Sequence, residues 1–414
     1  MAKQRRSETK GGATAAFYRG ATAMAGAVLR PFAGAMGGDF AQRMAIGLPA
    51  VPAGGIWIHG ASVGELNSAR LLIEDLARDF DVSVTANSLT GRRAASGWGM
   101  HCTLAPLDLP GAVARFLDQR KPVLAVTIEN EIWPNRAREL SARGIAQAVI
   151  GARISARSAE RWGKMPGLIA PVLGAVDLLS AQDGATEERL MQLGLRREAL
   201  TQRLNLKLLG PARIVPGRGG DLRPLTLLAA STHEGEEEIV LDAYLAALAQ
   251  HPQLRLILAP RHPERGDEVA AMIAKRGLEV ARRTQDQDER APVLLADTLG
   301  EMARWYDSAA ICLTGGSLVA RGGHTPWEPA AHQCAILHGP YVDNFIEDYA
   351  VLDAQGASSA VTSDSLSQTV CALLGDRAAR MGQAARDILL TRAGDPEPIL
   401  SQLRELARRN LASR

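Results

Sequence analysis

From Gly55 onward the chain repeats one local pattern: a short apolar run, a glycine or polar turn, then a helix start carrying its own capping residues. Residues 56–58 (Ile-Trp-Ile) are followed by His59-Gly60-Ala61 and by Ser62-Val63-Gly64-Glu65. That last tetrapeptide is an S-x-x-E capping box, in which a serine oxygen and a glutamate satisfy the first backbone N–H groups of a helix. Leu66, Ala69, Leu72, Ile73 and Leu76 then recur at helical spacing and give one apolar face. Further apolar runs stand at residues 82–85, 124–128, 146–150 and 178–180, and a helix is expected over 186–193, stopped by Gly194. The pattern loosens into Gly, Pro and Arg over 204–223 and then restarts, with runs at 225–230, 254–259, 293–296, 311–313 and 335–338. Boxes of the same kind stand at Ser231-Thr232-His233-Glu234 and Thr298-Leu299-Gly300-Glu301.

Strands that alternate with capped helices pair in parallel, because each helix carries the chain back along the sheet. Two such runs predict an α/β protein of two Rossmann-like parallel-sheet domains, and 414 residues suffice for two full cores. The expected segments are a basic Ala/Gly-rich tail over 1–50, a first domain over 51–210, and a second over 211–414 ending in a helical tail over 383–409. Ligands in such sheets bind beyond the carboxyl ends of the strands, so two domains in series put their loops on the walls of a central cleft.

Those loops hold the candidate residues. The stretch 314–331, TGGSLVARGGHTPWEPAA, runs from a strand end through two glycine pairs into Thr325-Pro326-Trp327-Glu328. That order reads as Thr at N-cap, Pro at N1 and Glu at N3 of a further capping box. A glycine-lined loop feeding a helix N-terminus offers backbone N–H groups and a partial positive charge to an anion. Ser231, Thr232, Gly315, Gly316 and Ser317 sit at such junctions and suit a phosphate or carboxylate, or act as simple caps. Arg261 and His262 lie between two prolines, and a guanidinium suits bidentate contact to phosphate. Glu65 has two readings, a capping carboxylate or a general base at the first turn of a helix. A helix N-terminus lowers a carboxylate pKa, so a base there needs burial or neighbours such as Glu129 and Glu131 to offset it. Arg92, Arg93, Arg153, Arg157 and Arg161 make the first domain's loops basic, either toward a phosphorylated ligand or as scattered solvated charges. Asp286-Gln287-Asp288 has the form of a metal-binding DxD, but it lies in the charged run RRTQDQDER with no strand leading in, and reads as an exposed loop.

Composition excludes several classes. Among residues 1–50, Lys3, Arg5, Arg6, Lys10, Arg19, Arg30 and Arg43 stand against Glu8 and Asp39 only. Such a tail points to an anionic surface such as lipid headgroups. Nucleic acid is not expected, since no aromatic-interleaved basic motif follows. The arginines interrupt every apolar run before 18 residues, so no membrane-spanning helix is expected. Cys102, Cys312, Cys334 and Cys371 are far apart and form no metal or disulfide spacing, which fits reduced thiols in a cytoplasmic setting.

Eight segments taken in order are more specific than any one of them. HGASVGE (59–65), ENEIWPN (129–135), GARISARS (151–158), AASTHEGEEE (229–238), APRHPER (259–265), ADTLGEM (296–302), GGSLVARGGHTPWEPAA (315–331) and GPYVDNF (339–345) together resemble the 3-deoxy-D-manno-octulosonic acid (Kdo) transferases of lipopolysaccharide synthesis. The resemblance implies a GT-B fold with its two domains facing a central cleft. It also implies CMP-Kdo as donor, a lipid A precursor as acceptor, and inverting transfer without metal or cofactor. The site of action would be the cytoplasmic face of the bacterial inner membrane, with peripheral or weakly anchored attachment. It makes Glu65 the general base and Glu328 the carboxylate that accepts hydrogen bonds from the nucleotide ribose. The implied donor side further comprises Ser231, Thr232, Arg261, His262, Gly315, Gly316, Ser317, His324 and Asn344, and the acceptor side Ser62, Gly64, Arg92, Glu129, Glu131 and Arg153. The chain departs from the family pattern in its arginine-interrupted N-terminus, in Gly151 where Asn is usual, and in Thr325 and Trp327 where Asn and Leu are usual. A nucleotide-sugar epimerase on the same fold, or a non-catalytic nucleotide-sugar- or lipid-binding paralogue, are the alternative readings.

Overall fold

The computed structural model describes residues 2–129, 131–217 and 219–413, with side chains from residue 12 onward, so Asn130 of the 129–135 segment lies outside the described residues. The chain forms two units, Met1–Leu209 together with Ala393–Arg414, and Gly210–Arg392.

The first unit begins with α1 (Ala2–Leu29). Six strands follow: β1 (Ile56–Gly60), β2 (Val82–Ala86), β3 (His101–Leu104), β4 (Leu124–Ile128), β5 (Ala146–Ala152) and β6 (Leu178–Ala181). They form one parallel sheet in the order β3-β2-β1-β4-β5-β6. The connecting helices that matter below are α2 (Val63–Leu76), α3 (Leu89–Gly97), α4 (Pro134–Ala142) and α5 (Pro166–Gly174). The apolar stripe of α2, Leu66 through Leu76, is buried at every expected position, against Ile56, Ile58, Val126 and Ile150 of the sheet. The segment expected as a tail is tied to the first unit over residues 18–44. Tyr18 Oη donates to Asp108 at 3.0 Å, Asn135 Nδ2 donates to Thr22 Oγ1 at 3.0 Å, and Ala33 and Met44 are fully buried.

The second unit holds β7 (Thr226–Thr232), β8 (Arg255–Pro260), β9 (Val280–Arg282), β10 (Val293–Leu295), β11 (Ile311–Thr314), β12 (Ala335–His338) and β13 (Ser358–Ala360). All are parallel, in the order β13-β12-β11-β7-β8-β10-β9. Its helices include α6 (Glu236–Leu248), α7 (Met302–Asp307) and α8 (Trp327–Ala331).

The C-terminal helical tail is corrected in two ways. Gly394, at φ +78°, breaks it into Asp376–Ala393 and α9 (Glu397–Ala412). The last of these belongs to the first unit: Ile399, Leu400, Leu403 and Ala407 are buried in its core, Arg404 pairs with Asp75 at 2.5 Å and Asp79 at 2.7 Å, and Asn410 Nδ2 donates to the Val123 carbonyl at 2.9 Å. The expected second domain over 211–414 therefore ends at Arg392.

Candidate active site

In the first unit β1 stops at Gly60, where a Cβ would lie 2.8 Å from the Leu66 side chain, and Ser62 Oγ accepts from the Glu65 N–H at 3.2 Å. Glu65 returns its Oε2 to the Ala61 N–H at 2.7 Å, and its Oε1 lies 3.4 Å from Ser62 Oγ. The carboxyl is half-buried, and its pKa is raised: burial is the main cause, and Glu129 and Glu131 add to it against the lowering effect of the Ala61 and Ser62 hydrogen bonds. The sheet order explains the neighbours. β1 and β4 are adjacent, so the loop after β4 carries Glu129 and Glu131 to the N-terminus of α2.

Glu129 takes a left-handed backbone, φ +57°, and donates its N–H to the Ile150 carbonyl at 3.0 Å. Its buried Oε1 has no hydrogen-bond partner and lies 3.7 Å from Lys207 Nζ. Glu131 is held by the protein itself: Oε2 accepts from Asn87 Nδ2 at 3.2 Å and from Trp133 Nε1, and lies 3.7 Å from His59 Nε2. Burial would raise this carboxyl, but His59, Trp133 and Asn87 outweigh it and hold the pKa below the ordinary value. His59 is buried and pushed down to about 4, chiefly by desolvation, so it is neutral at pH 7. Gly64 is exposed, and a Cβ there would meet only Ser62 Oγ at 3.7 Å, so the fold itself does not demand a glycine. Arg153 is exposed after β5. Arg92 departs from the expected acceptor-facing role, because its guanidinium is spent on Asp39 at 2.6 Å and Gln42 at 3.3 Å.

The second unit corrects the glycine loop. Its N–H groups are already occupied: the buried Glu236 accepts from Gly316 N at 2.6 Å, Ser317 N at 3.0 Å, Leu318 N at 2.8 Å and His233 N at 2.9 Å. An internal carboxylate thus fills the place read as an anion site. The expected Ser231–Glu234 box does not cap α6: its N-cap residue is Gly235, at φ +92°, with no side-chain cap, and Glu236 and His233 instead bond through the His233 backbone. Thr232 and Ser317 are buried and unavailable to a ligand. Thr232 Oγ1 donates to Glu237 at 3.0 Å, and Ser317 Oγ accepts from the Gly339 N–H at 2.8 Å. Gly315 is required by packing, since a Cβ would fall 2.2 Å from the Ser231 carbonyl oxygen. Asn344 holds the loop rather than presenting itself, accepting no ligand-side role from its contacts: its N–H reaches the Gly322 carbonyl at 3.0 Å and Nδ2 the Arg321 carbonyl at 3.3 Å.

Beside this filled cradle lies a group of cations and imidazoles. His233 Nε2 and His324 Nε2 are 3.0 Å apart with the rings stacked, and His262 meets His233 edge-on at 6.0 Å between centroids. Arg261 and Arg321 are exposed and form no ion pair among the described residues, and both act on His233. Burial first, then these cations, push the His233 pKa down; burial, then His233 and Arg261, do the same for His324. Ser231 carries a left-handed backbone, φ +57°, at the same strand end. Guanidiniums without an ion pair beside imidazoles have the chemistry that suits a phosphate. Glu328 is exposed and free of the expected capping box. Thr325 Oγ1 accepts from Trp327 N at 3.3 Å, the N-cap residue of α8 is Pro326, and among the described residues the side chain of Glu328 is hydrogen-bonded by Tyr306 Oη alone, at 3.4 Å. The third box likewise does not cap α7, because Glu301 accepts from Arg283 at 3.0 Å and from Thr298. Asp286 and Asp288 are exposed, and Asp286 pairs with Arg283 at 2.5 Å. Among the described residues no group of His, Cys, Asp and Glu could hold a metal ion.

His233, Glu236 and Arg321 were not singled out from sequence. No capping rule singles out the first two, since the box requires Ser or Thr where His233 stands.

Residues 38–209 match the family described as 3-deoxy-D-manno-octulosonic-acid transferase (kdotransferase). The chain is 35% identical over 380 residues to 3-deoxy-D-manno-octulosonic acid transferase of Haemophilus influenzae, covering 87% of this chain and 89% of that protein. It is 34% identical over 382 residues to the Bordetella pertussis protein of the same name, covering 86% and 88%. Among solved structures it is similar to MurG of Acinetobacter baumannii, with a TM-score of 0.54 at 13% identity, covering 86% of this chain and all of that one, which shows a GT-B fold.

Proposed function

The chain belongs to the 3-deoxy-D-manno-octulosonic acid transferase family of glycosyltransferases, and from that premise we propose that it moves Kdo from CMP-Kdo to a hydroxyl of a lipid A precursor with inversion. The observation that carries this reading is the environment of Glu65. A general base must be ionised yet basic, and burial beside Glu129 and Glu131 raises its pKa toward the working range while two hydrogen bonds fix its orientation. Glu65 takes the hydroxyl proton, the alkoxide oxygen forms a bond to the anomeric C2 of Kdo, and the bond from C2 to the phosphate oxygen breaks, with its electron pair leaving on CMP. Charge grows on that phosphate as it departs. Arg261 and Arg321, with the His233–His324 pair, are the groups aimed at it. Glu328, free of a capping role, accepts from the ribose hydroxyls.

We place the enzyme on the cytoplasmic face of the inner membrane. Support comes from α1, whose outer side exposes Phe17, Met24 and Val28 near Arg19 and Arg30. No helix among the described residues is long and apolar enough to cross a membrane. The test is incubation with CMP-Kdo and a tetraacylated lipid A precursor, with and without EDTA, followed by mass spectrometry of the lipid. The expected product gains the mass of Kdo in both conditions. An unchanged acceptor mass across candidate CMP-sugars refutes transfer, and loss of activity in EDTA refutes its metal independence.

A further inference from the structure

We propose that the groove between α1, α4 and α5 receives one fatty-acyl chain of the acceptor, with an acceptor phosphate on Arg19 and Arg138. This rests on the lipid-acceptor reading above. The groove has a volume of about 510 Å³, within the range of pockets that bury a small ligand. Its surface is aliphatic, formed by Ala15, Pro134, Ala137, Leu168, Pro171 and Val172.

The polar groups on its lining are already engaged, with two exceptions. Tyr18 Oη donates to Asp108 at 3.0 Å, Asn135 Nδ2 to the Asp108 carbonyl at 2.6 Å, and Ser141 Oγ to the Ala137 carbonyl at 3.0 Å. Arg19 and Arg138 line the same groove, are exposed, and make no hydrogen bond or ion pair with their side chains among the described residues. A surface that offers methyl groups and two unpaired guanidiniums complements an amphiphile with a hydrocarbon chain and an anionic head. Neither a polar nucleotide nor a neutral sugar satisfies both halves.

The position of the groove selects the acceptor over bulk lipid. It shares Ala137 and Val172 with a smaller cavity lined by Thr127, Glu131 and Trp133, and Pro134 on its edge directly follows Trp133. The groove therefore borders a cavity that Glu131 lines, next to the loop after β4, a position that suits an acyl chain of an acceptor bound by the first unit.

The test compares a tetraacylated lipid A precursor with the same phosphorylated disaccharide stripped of its acyl chains, using full-length protein. Ala142→Trp fills the groove from its exposed rim, and Arg138→Glu reverses a charge without filling it. Each buried methylene is worth about a fourfold change in affinity. Ala142→Trp, excluding two or more of them, is expected to raise KM for the acylated acceptor more than tenfold relative to the stripped one. Arg138→Glu is expected to raise KM for both acceptors, since both carry the phosphate. Equal effects of Ala142→Trp on the two acceptors, or no effect on either, overturn the proposal. If wild-type protein transfers Kdo to neither acceptor, the functional reading fails, and titration calorimetry with dodecyl phosphate still decides the groove. Binding by wild type that Ala142→Trp and Arg138→Glu each weaken at least tenfold upholds it; binding unaffected by both, or none by wild type, overturns it. Competition by phosphatidylglycerol vesicles as strong as that by the acylated acceptor overturns the choice of occupant.

Discussion

Glu236→Gln tests whether the glycine loop is held by a carboxylate rather than reserved for a ligand. The native side chain accepts four backbone hydrogen bonds, from His233, Gly316, Ser317 and Leu318, at 2.6 to 3.0 Å. Glutamine keeps one oxygen, which can serve two of them. Its amide turns donors toward the other two N–H groups, one of them buried (Gly316 or Ser317) and one part-buried (His233 or Leu318). Hydrogen bonds to a charged group contribute about 1.5–3 kcal/mol each, so losing two costs about 3–6 kcal/mol. At 1.36 kcal/mol per factor of ten, the loop should open at least about a hundredfold more often. Hydrogen exchange followed by mass spectrometry on a peptide spanning residues 314–320 measures this directly. Exchange there should accelerate by about two decades or more, with CMP affinity falling in step. Unchanged protection refutes the structural role. Tighter binding of inorganic phosphate by the variant would refute it differently, by showing that the cradle is a ligand site from which Glu236 must withdraw.

Five further outcomes follow from named contacts. Glu65→Gln should lower kcat by about 10²–10⁴ while leaving CMP affinity within twofold, and an active variant would exclude Glu65 as the base. The raised pKa of Glu65 fixes the sign of the pH dependence: its basic form is lost on acidification at a higher pH than for an ordinary carboxylate, so kcat/KM should fall early on the acid side. Glu129→Gln removes one of the two repelling charges and should shift that acid limb to lower pH; a limb that stays put or rises contradicts the coupling. Glu328→Gln should weaken CMP binding roughly tenfold to a hundredfold, by the loss of a charged hydrogen bond to ribose, without affecting phosphate binding in calorimetry. Leu403→Ala should cost about 2–5 kcal/mol in urea unfolding, despite lying near the C-terminus, because the side chain is fully buried in the first unit's core.

The central strands were legible because both faces of a parallel sheet are covered and the sequence there is uniformly apolar: β4 and β12 occupy the expected residues. The three strands that escaped, β3 (HCTL), β9 (VAR) and β13 (SSA), are all sheet edges of three or four residues with one neighbour each. Their pairing comes from the partner strand and leaves little mark on their own composition. The capping boxes show a different limit. At Ser62–Glu65 the local rule held, because nothing else competes for the carboxylate. At Thr298–Glu301 Arg283 competes for it, and at 233–236 the decisive donors, the N–H groups of the 316–318 loop, lie 80 residues or more away in sequence. A motif read along the chain cannot register a partner brought in by the sheet order. The same limit applies to Glu65 itself, whose neighbours arrive because β1 and β4 are adjacent though separated by two other strands in sequence. The Ala/Gly-rich start gave no clear periodicity, since small residues pack closely without a strong apolar stripe; the clamp of Tyr18 and Thr22 and the packing of Leu29 show how α1 is seated.

The return of α9 to the first unit sets an order of events during synthesis. The residues 210–392 emerge as one continuous piece and can close their own core as soon as they leave the ribosome. The first unit, although made earlier, waits for Ile399, Leu400 and Leu403. At roughly 5–20 residues per second, its unsealed parallel sheet persists for about 10–40 s after residue 209 is joined. A nascent chain of this protein is therefore most in need of a chaperone while its first half is finished and its last helix is still untranslated, and a stop codon that removes only that helix would leave the earliest-made core permanently open.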